Sequence, residues 1–273
     1  MPDTPQYGII GQPLGHSLSP ALHNWALARA GLPGQYHAYP LEPGGLAEFM
    51  ARARALPLAG LSVTIPHKVA VMEFLDEVSE RARATGAVNT VYRRGDRLLG
   101  ENTDVTGFLA PLRALGTAPR SALVLGAGGA ARAVLAGLGE LGVPAVLVTA
   151  RDPARASALA AAFGARTHPW DQRGSARAEL VVNTTPLGMR GPGQGLSAWP
   201  PSSPLGPGQT AYDLVYNPVQ TAFLALACAT GARTIGGLDM FLHQGREQFR
   251  LWTGQTFDLP AARALVAGLL ARG

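Results

Sequence analysis

Short apolar runs alternate with amphipathic stretches along the chain, and their spacing predicts strands and helices in turn. Residues 7–10 are an apolar run closed by Gly11, and the glycines and prolines of residues 11–20 mark a loop. A helix follows, with Ser19 suited to the N-cap and Pro20 to the first helical position. Leu22, Trp25, Ala26 and Ala30 give its apolar stripe, and Gly31 ends it. A strand near 35–39, a helix near 45–55 and a strand over 60–65 continue the alternation, which implies βαβ units and a parallel sheet. Pro66 is expected to open a helix with His67 and Lys68 in its first turn and Val69, Met72, Phe74 and Leu75 available for packing. Residues 87–93, the turn Arg94-Gly95-Asp96 and residues 97–100 read as a hairpin.

A helix after Asn102-Thr103-Asp104, running to Leu115, and a loop over 116–120 form a junction to a second alternating series. Its apolar strands fall at 122–125, 145–149, 180–183, 211–215 and near Thr234. Residues 191–208, rich in Gly, Pro and Ser, read as a long surface loop. From about Met240 the chain is mainly helical, with an interruption near 253–258.

At 273 residues the chain is long enough for two lobes, each with its own core. Hydrophobic residues make up 47% of it, yet no run reaches the 18 or so apolar residues of a membrane span. The N-terminus shows no basic stretch followed by an apolar run and a cleavage site, so a cytoplasmic location is expected. Cys228 is the sole cysteine, which excludes an internal disulfide and a cysteine-held metal. Its setting in TAFLALACAT suggests a small buried residue. The net charge of +5 comes from scattered arginines, which argues for an anionic small molecule over nucleic acid. Of 23 basic residues Lys68 alone is lysine. An arginine-biased chain has reason to keep one lysine where a proton must be given up, because guanidinium does not deprotonate.

Leu123-Val124-Leu125 runs into Gly126-Ala127-Gly128-Gly129-Ala130-Ala131-Arg132, a strand entering G-x-G-x-x-A and then a helix. Gly126 suits the tight turn, Gly128 the close approach of a pyrophosphate, Ala131 close packing, and the helix N-terminus the negative charge. After the second strand of this series Ala150 stands where NAD enzymes carry a carboxylate, with Arg151 and Arg155 beyond it. Two cations favour the 2′-phosphate of NADP; Asp152 either caps a helix ahead of Pro153 or approaches the ribose.

In the first half, Ser17 and Ser19 flank a helix start that suits a carboxylate. Lys68, placed in a helical first turn, would feel the positive end of the dipole and hold its proton less firmly. Asp104 reads either as its partner or as a helix cap. Ser17-Leu18-Ser19-Pro20, Val63-Thr64-Ile65-Pro66-His67-Lys68, Gly86-Ala87-Val88-Asn89-Thr90 and Gly100-Glu101-Asn102-Thr103-Asp104 together resemble the successive motifs of the shikimate dehydrogenase family. Gly126 to Arg132, Asn183-Thr184-Thr185-Pro186-Leu187-Gly188-Met189, Asp213-Leu214-Val215-Tyr216-Asn217-Pro218, Gly236 to Gln244 and Phe249 to Gly254 continue the resemblance in order over almost the whole chain.

The resemblance implies an α/β fold: a substrate domain over 1–104, a Rossmann-type doubly wound NADP-binding domain over 105–237, and C-terminal helices over 238–273 returning to the first lobe. It implies reversible NADPH-dependent reduction of 3-dehydroshikimate to shikimate, with Lys68 and Asp104 as the catalytic pair and no metal. Ser17, Ser19 and Tyr216 would hold the carboxylate, and Thr64, Asn89, Asp104 and Gln244 would contact ring hydroxyls. Gly126, Ala127, Gly128, Gly129, Ala130, Ala131, Arg132, Arg151, Arg155, Asn183, Thr184 and Gly237 would line the cofactor site. The expected partners are these small molecules, without nucleic acid or membrane, in a monomer or homodimer. Ser62 stands where the family usually has Asn, and Ala150-Arg151-Asp152 where it often has Asn-Arg-Thr. Two other readings stay open: a quinate/shikimate dehydrogenase using NAD or NADP, and a non-catalytic nucleotide-binding sensor.

Overall fold

Strands form where short apolar runs can be buried on both faces, and the first of these is β1 (Gln6–Gly11), followed by α1 (Ser19–Arg29) and β2 (Gln35–Pro40). The computed structural model describes residues 4–15, 17–55 and 58–272; His16, in the predicted loop, and residues 1–3, part of the stretch read for a leader, lie outside it. The described residues divide into two compact units, one reaching Thr106 and including Leu242–Leu269, the other spanning Gly107–Phe241 with the last few residues.

The first unit continues with α2 (Leu46–Ala55), β3 (Leu58–Val63), β4 (Glu77–Val78), α3 (Glu80–Thr85), β5 (Thr90–Arg94), β6 (Arg97–Glu101) and the start of α4 (Thr103–Arg113). Its six strands lie in the order β2-β1-β3-β5-β6-β4. The sheet is mixed, not parallel throughout: β1 pairs parallel with β2 and β3, whereas β5 pairs antiparallel with β3 and β6. The tight turn from β5 into β6 leaves no room for the crossover a parallel pair needs. Leu46, Met50 and Ala53 of α2 pack with Ile10, Leu61, Val63, Val71 and Val91 into one apolar core.

Two predicted helix starts are corrected. The amide of Leu22 reaches the carbonyl of Leu18 at 3.0 Å, so α1 begins with Ser19 as its first residue, and Leu18 takes the cap position without a side-chain bond. Pro66 opens no α-helix. Residues 65–69 form turns, with the His67 amide bonded to the Thr64 carbonyl at 2.9 Å, and only the short 3-10 segment Ala70–Phe74 follows. Val71 is the fully buried residue there, while Val69 is 56% exposed. The dipole expected to act on Lys68 is therefore missing, because no long helix starts beneath it.

The second unit contains β7 (Ser121–Leu125), α5 (Gly129–Glu140), β8 (Ala145–Thr149), α6 (Pro153–Ala162), β9 (Arg166–Thr167), β10 (Leu180–Asn183), β11 (Thr210–Asp213), α7 (Ala222–Ala229) and β12 (Arg233–Gly236). All five pairings are parallel, in the order β12-β11-β10-β7-β8-β9. Counted from β7, this is the 3-2-1-4-5-6 order of the doubly wound Rossmann sheet, whose direction reverses between β7 and β10. Residues 191–208 are more than a surface loop: Ala198, Trp199 and Leu205 are buried in this unit's core. Cys228 is exposed, not buried. The core-facing positions of α7 are Phe223, Leu224 and Ala227, and Cys228 falls at the edge of that face.

The chain closes with α8 (Gly237–Thr253) and α9 (Leu259–Arg272). From Leu242 onward α8 belongs to the first unit, where the Trp252 indole N–H donates to the Val91 carbonyl at 3.0 Å. Among the described residues no helix is long and apolar enough to cross a membrane.

Candidate active site

The turn after β3 carries Lys68 and the first turn of α4 carries Asp104, 36 residues later, and their side chains meet with Lys68 Nζ 2.6 Å from Asp104 Oδ2. Each side chain keeps a small exposed fraction, 16% and 12%, so the pair is shielded yet reachable. Asp104 does not cap α4. Asn102 does, accepting from the Val105 amide at 3.4 Å while its own amide holds the Ala87 carbonyl. That leaves both carboxylate oxygens of Asp104 for other partners. Asn89 Nδ2 takes Oδ1 at 2.8 Å. Asn89 in turn is fixed by the Thr103 amide and the Thr90 hydroxyl, both donating to its Oδ1 at 2.7 and 2.8 Å.

Behind Asn89 lies a buried polar layer that the sequence reading missed. Gln248 of α8 donates to the Thr90 hydroxyl at 3.1 Å and to the Asn89 carbonyl at 3.2 Å, and accepts from Ser62 Oγ at 3.0 Å. Ser62 in turn accepts from the Tyr36 hydroxyl at 2.7 Å. Burial pushes the Tyr36 phenol pKa upward, opposed by its hydrogen bonding to Ser62 and Ser19. Ser19 thus joins the same layer. Beside it the His23 ring stacks on Tyr36 at 4.7 Å and tilts against Trp252 at 4.9 Å. Neither His23 nitrogen completes a hydrogen bond, Gln248 approaching without doing so. Burial holds its imidazole neutral and pushes the pKa down to about 3, Gln248 opposing weakly. Two signals could have revealed members of this layer: Gln248 stands one helical turn beyond the predicted Gln244, and Thr90 closes the motif that holds Asn89; nothing local marks Tyr36.

The other predicted residues of the first unit are dispersed around this layer. Ser17 Oγ accepts the Ser19 amide at 3.4 Å, just ahead of α1. Thr64 follows the end of β3 with its amide on the Ile10 carbonyl at 2.9 Å. His67 is buried and its Nε2 holds the Leu41 carbonyl at 2.7 Å, anchoring the turn that presents Lys68. Gln244 is half-buried on α8. Tyr216 belongs to the second unit, where it stacks on Phe241 at 4.8 Å.

In the second unit the chain leaves β7 through Gly126 at φ +115°, a left-handed conformation that favours glycine, with its amide on the Thr149 carbonyl at 2.8 Å. Thr184 backs this turn, its amide and hydroxyl both donating to the Leu125 carbonyl at 2.9 and 2.8 Å. Gly128 takes the N-cap of α5 without a side-chain cap, and a Cβ built there would enter open space. Uncapped amides at a turn free of side chains, at the reversal point of the sheet, fit a dinucleotide pyrophosphate. Ala127, Gly129, Ala130 and Arg132 are partly exposed along this turn, whereas Ala131 is buried beneath it. Arg151 and Arg155 are exposed after β8. Asp152 caps α6, accepting from the Ala154 and Arg155 amides at 3.0 and 3.1 Å, and its other oxygen lies 3.6 Å from Arg155 Nε. Asn183 spends its side chain inside the unit on Leu187, Thr185 and Asp213. Burial pushes the Asp213 carboxyl up to about 6, against hydrogen bonds from Thr221, Val215 and Asn183. At Gly237 any side chain would collide with the backbone of Leu214 and Val215.

A doubly wound sheet with a glycine cradle, accompanied by a unit that presents a shielded Lys–Asp pair, defines a dinucleotide-dependent oxidoreductase. Residues 9–91 match the shikimate dehydrogenase substrate binding domain and residues 237–266 the shikimate 5′-dehydrogenase C-terminal domain. A shikimate dehydrogenase (NADP(+)) of Oleidesulfovibrio alaskensis is 55% identical over 98% of this chain and 96% of its own length. The crystal structure of shikimate 5-dehydrogenase from Thermus thermophilus in complex with NADP(H) and shikimate superposes with a TM-score of 0.85 at 40% identity, covering 97% of this chain and 99% of that one. A quinate dehydrogenase from Corynebacterium glutamicum in complex with NAD matches with a TM-score of 0.90 at 34% identity over 97% and 99% of the two chains. The chain belongs to the shikimate dehydrogenase family.

Proposed function

We propose that the protein is a cytoplasmic NADP-dependent shikimate dehydrogenase that reduces the C3 ketone of 3-dehydroshikimate and, in reverse, oxidises shikimate. The observation that carries the reading is the 2.6 Å pair of the chain's sole lysine with Asp104. When bound, NADPH supplies the hydride for the carbonyl carbon, so the chain's own task is to meet the charge that develops on the oxygen. Lys68 Nζ commits one of its three protons to Asp104 Oδ2 and has two left for the substrate oxygen. The pair stabilises the incipient alkoxide and delivers its proton, a contribution of roughly 10²- to 10⁴-fold for a positioned acid.

Ser17, Ser19 and Tyr216 bind the substrate carboxylate in this scheme, and Thr64, Asn89, Asp104 and Gln244 meet its hydroxyls, so analogues lacking an oxygen leave a buried partner unpaired. Gly126 to Arg132, with Asn183, Thr184 and Gly237, shape the cofactor site, and Arg151 and Arg155 face the 2′-phosphate. Asp152 and Ser62 are the features that favour a quinate- and NAD-using relative. Asp152 spends one oxygen on the α6 cap, and Ser62 is engaged by Tyr36 and Gln248, which supports the narrower reading.

The test is an absorbance assay of shikimate with NADP for the protein and for Lys68→Ala. Substrate-dependent reduction is expected, falling roughly 10²-fold or more in the variant while shikimate still binds. A protein that binds NADPH yet shows no substrate-dependent change is a sensor, and wild-type turnover in Lys68→Ala removes Lys68 from the mechanism.

A further inference from the structure

We infer that Gln248 is a positioning residue for the Lys68–Asp104 pair, orienting Asp104 through an unbroken chain of directed hydrogen bonds; this rests on the reading of that pair as the acid–base machinery. Gln248 is only 2% exposed, and both ends of its amide are assigned by its neighbours. One end faces the Asn89 carbonyl at 3.2 Å, an oxygen that can only accept, so that end is Nε2 and a donor. The other end is therefore Oε1, and Ser62 must give it its hydroxyl proton, across 3.0 Å. Ser62 then has only lone pairs for Tyr36, whose hydroxyl donates to it at 2.7 Å.

Donation continues forward from Gln248. Its Nε2 fills a lone pair of Thr90 Oγ1 at 3.1 Å; the Thr90 hydroxyl donates to Asn89 Oδ1 at 2.8 Å, which leaves its second lone pair for the proton of the Thr103 hydroxyl 3.0 Å away. The Thr103 amide also donates to that oxygen at 2.7 Å, so Asn89 Nδ2 is turned onto Asp104 Oδ1 at 2.8 Å. Donors thus run one way, from Tyr36 through Ser62, Gln248, Thr90 and Asn89 to Asp104. With Oδ1 held by this chain, Oδ2 is aimed at Lys68. Aligned bonds of this kind polarise one another, so loss of a middle link is felt at the end. Gln248 touches neither reacting group; it acts through the others.

The experiment is steady-state shikimate oxidation with NADP by the full chain carrying Gln248→Leu, Lys68→Ala, both together, or Thr90→Val, with thermal melting as a check on folding. Gln248→Leu is expected to lower kcat about tenfold with KM for NADP unchanged, because one misaligned hydrogen bond in the transition state is worth about that factor. Added to Lys68→Ala it is expected to cost nothing further, since its target is already gone. Thr90→Val, which cuts the next link while keeping its shape, is expected to repeat the loss and decides by the same criteria if Gln248→Leu does not fold. An unchanged kcat in the folded variant overturns the inference. So does a tenfold loss that persists on the Lys68→Ala background, which marks a general structural defect. Wild-type turnover in Lys68→Ala alone is the separate result that removes the pair itself and the inference with it.

Discussion

The first unit holds its polar chemistry with side chains drawn from far apart in sequence, whereas the second presents backbone. Ser62 meets Gln248 across 186 positions and Lys68 meets Asp104 across 36. The cradle at Gly126 to Ala131, by contrast, is one continuous turn whose amides need no side chain at all. The difference sets what each can discriminate. Side chains at fixed positions suit a small ring with several hydroxyls, while amides at a helix start suit a phosphate that many nucleotides share. It also sets how each fails, because the network is lost one link at a time and the cradle is blocked by a single Cβ.

Gly128→Val addresses the cradle alone. The added side chain enters open space in the free protein, so melting is expected to be unchanged while the dissociation constant for NADPH rises about 100-fold, close to 3 kcal/mol. Fluorescence titration reads this, and unaltered affinity means that the pyrophosphate lies elsewhere.

The units are expected to respond to pH in opposite directions. His23, with its pKa pushed down to about 3 against about 6.5 unfolded, binds fewer protons when folded; its contribution is full above about 6.5 and is lost as pH falls towards 3. Asp213, pushed up to about 6 against about 3.9 unfolded, binds more protons when folded. Its contribution is present below about 3.9 and is lost as pH rises through 6. Between pH 7 and pH 5 the first unit should lose ~2 kcal/mol and the second gain ~1 kcal/mol. Hydrogen exchange resolved by unit measures both, and His23→Phe, which keeps the stack on Tyr36, should abolish the first change only. Equal shifts in the two units contradict the assignment.

A smaller effect is expected at the edge of the cradle. Asp152→Ser keeps a capping oxygen for α6 and removes the charge 3.6 Å from Arg155, so NADP affinity should rise about threefold at low salt with little change in stability. A fall in affinity shows that Asp152 itself contacts the nucleotide.

The second unit was the more legible in sequence because its signals are local. A strand, three glycines and a helix in succession name the turn, and the alternation of strands and helices through α6 already points to a parallel sheet. The first unit was legible in its elements but less so in its joints. Pro66 suggested a helix that a sequence of turns replaces, whereas the hairpin read over 87–100 stands as β5 and β6. Lys68 and Asp104 stood out by rarity and resemblance. Tyr36 did not, and Thr90 and Gln248 showed only as neighbours of Asn89 and Gln244, because their roles exist only once strands and helix are packed.

The first unit selects the ring, and the second, with Arg151 and Arg155 beside its cradle, selects the 2′-phosphate nucleotide. Initial rates with shikimate and with quinate, each against NADP and NAD, test it most directly. Strong preference for shikimate with NADP is expected; comparable rates with quinate or with NAD would overturn that division of roles.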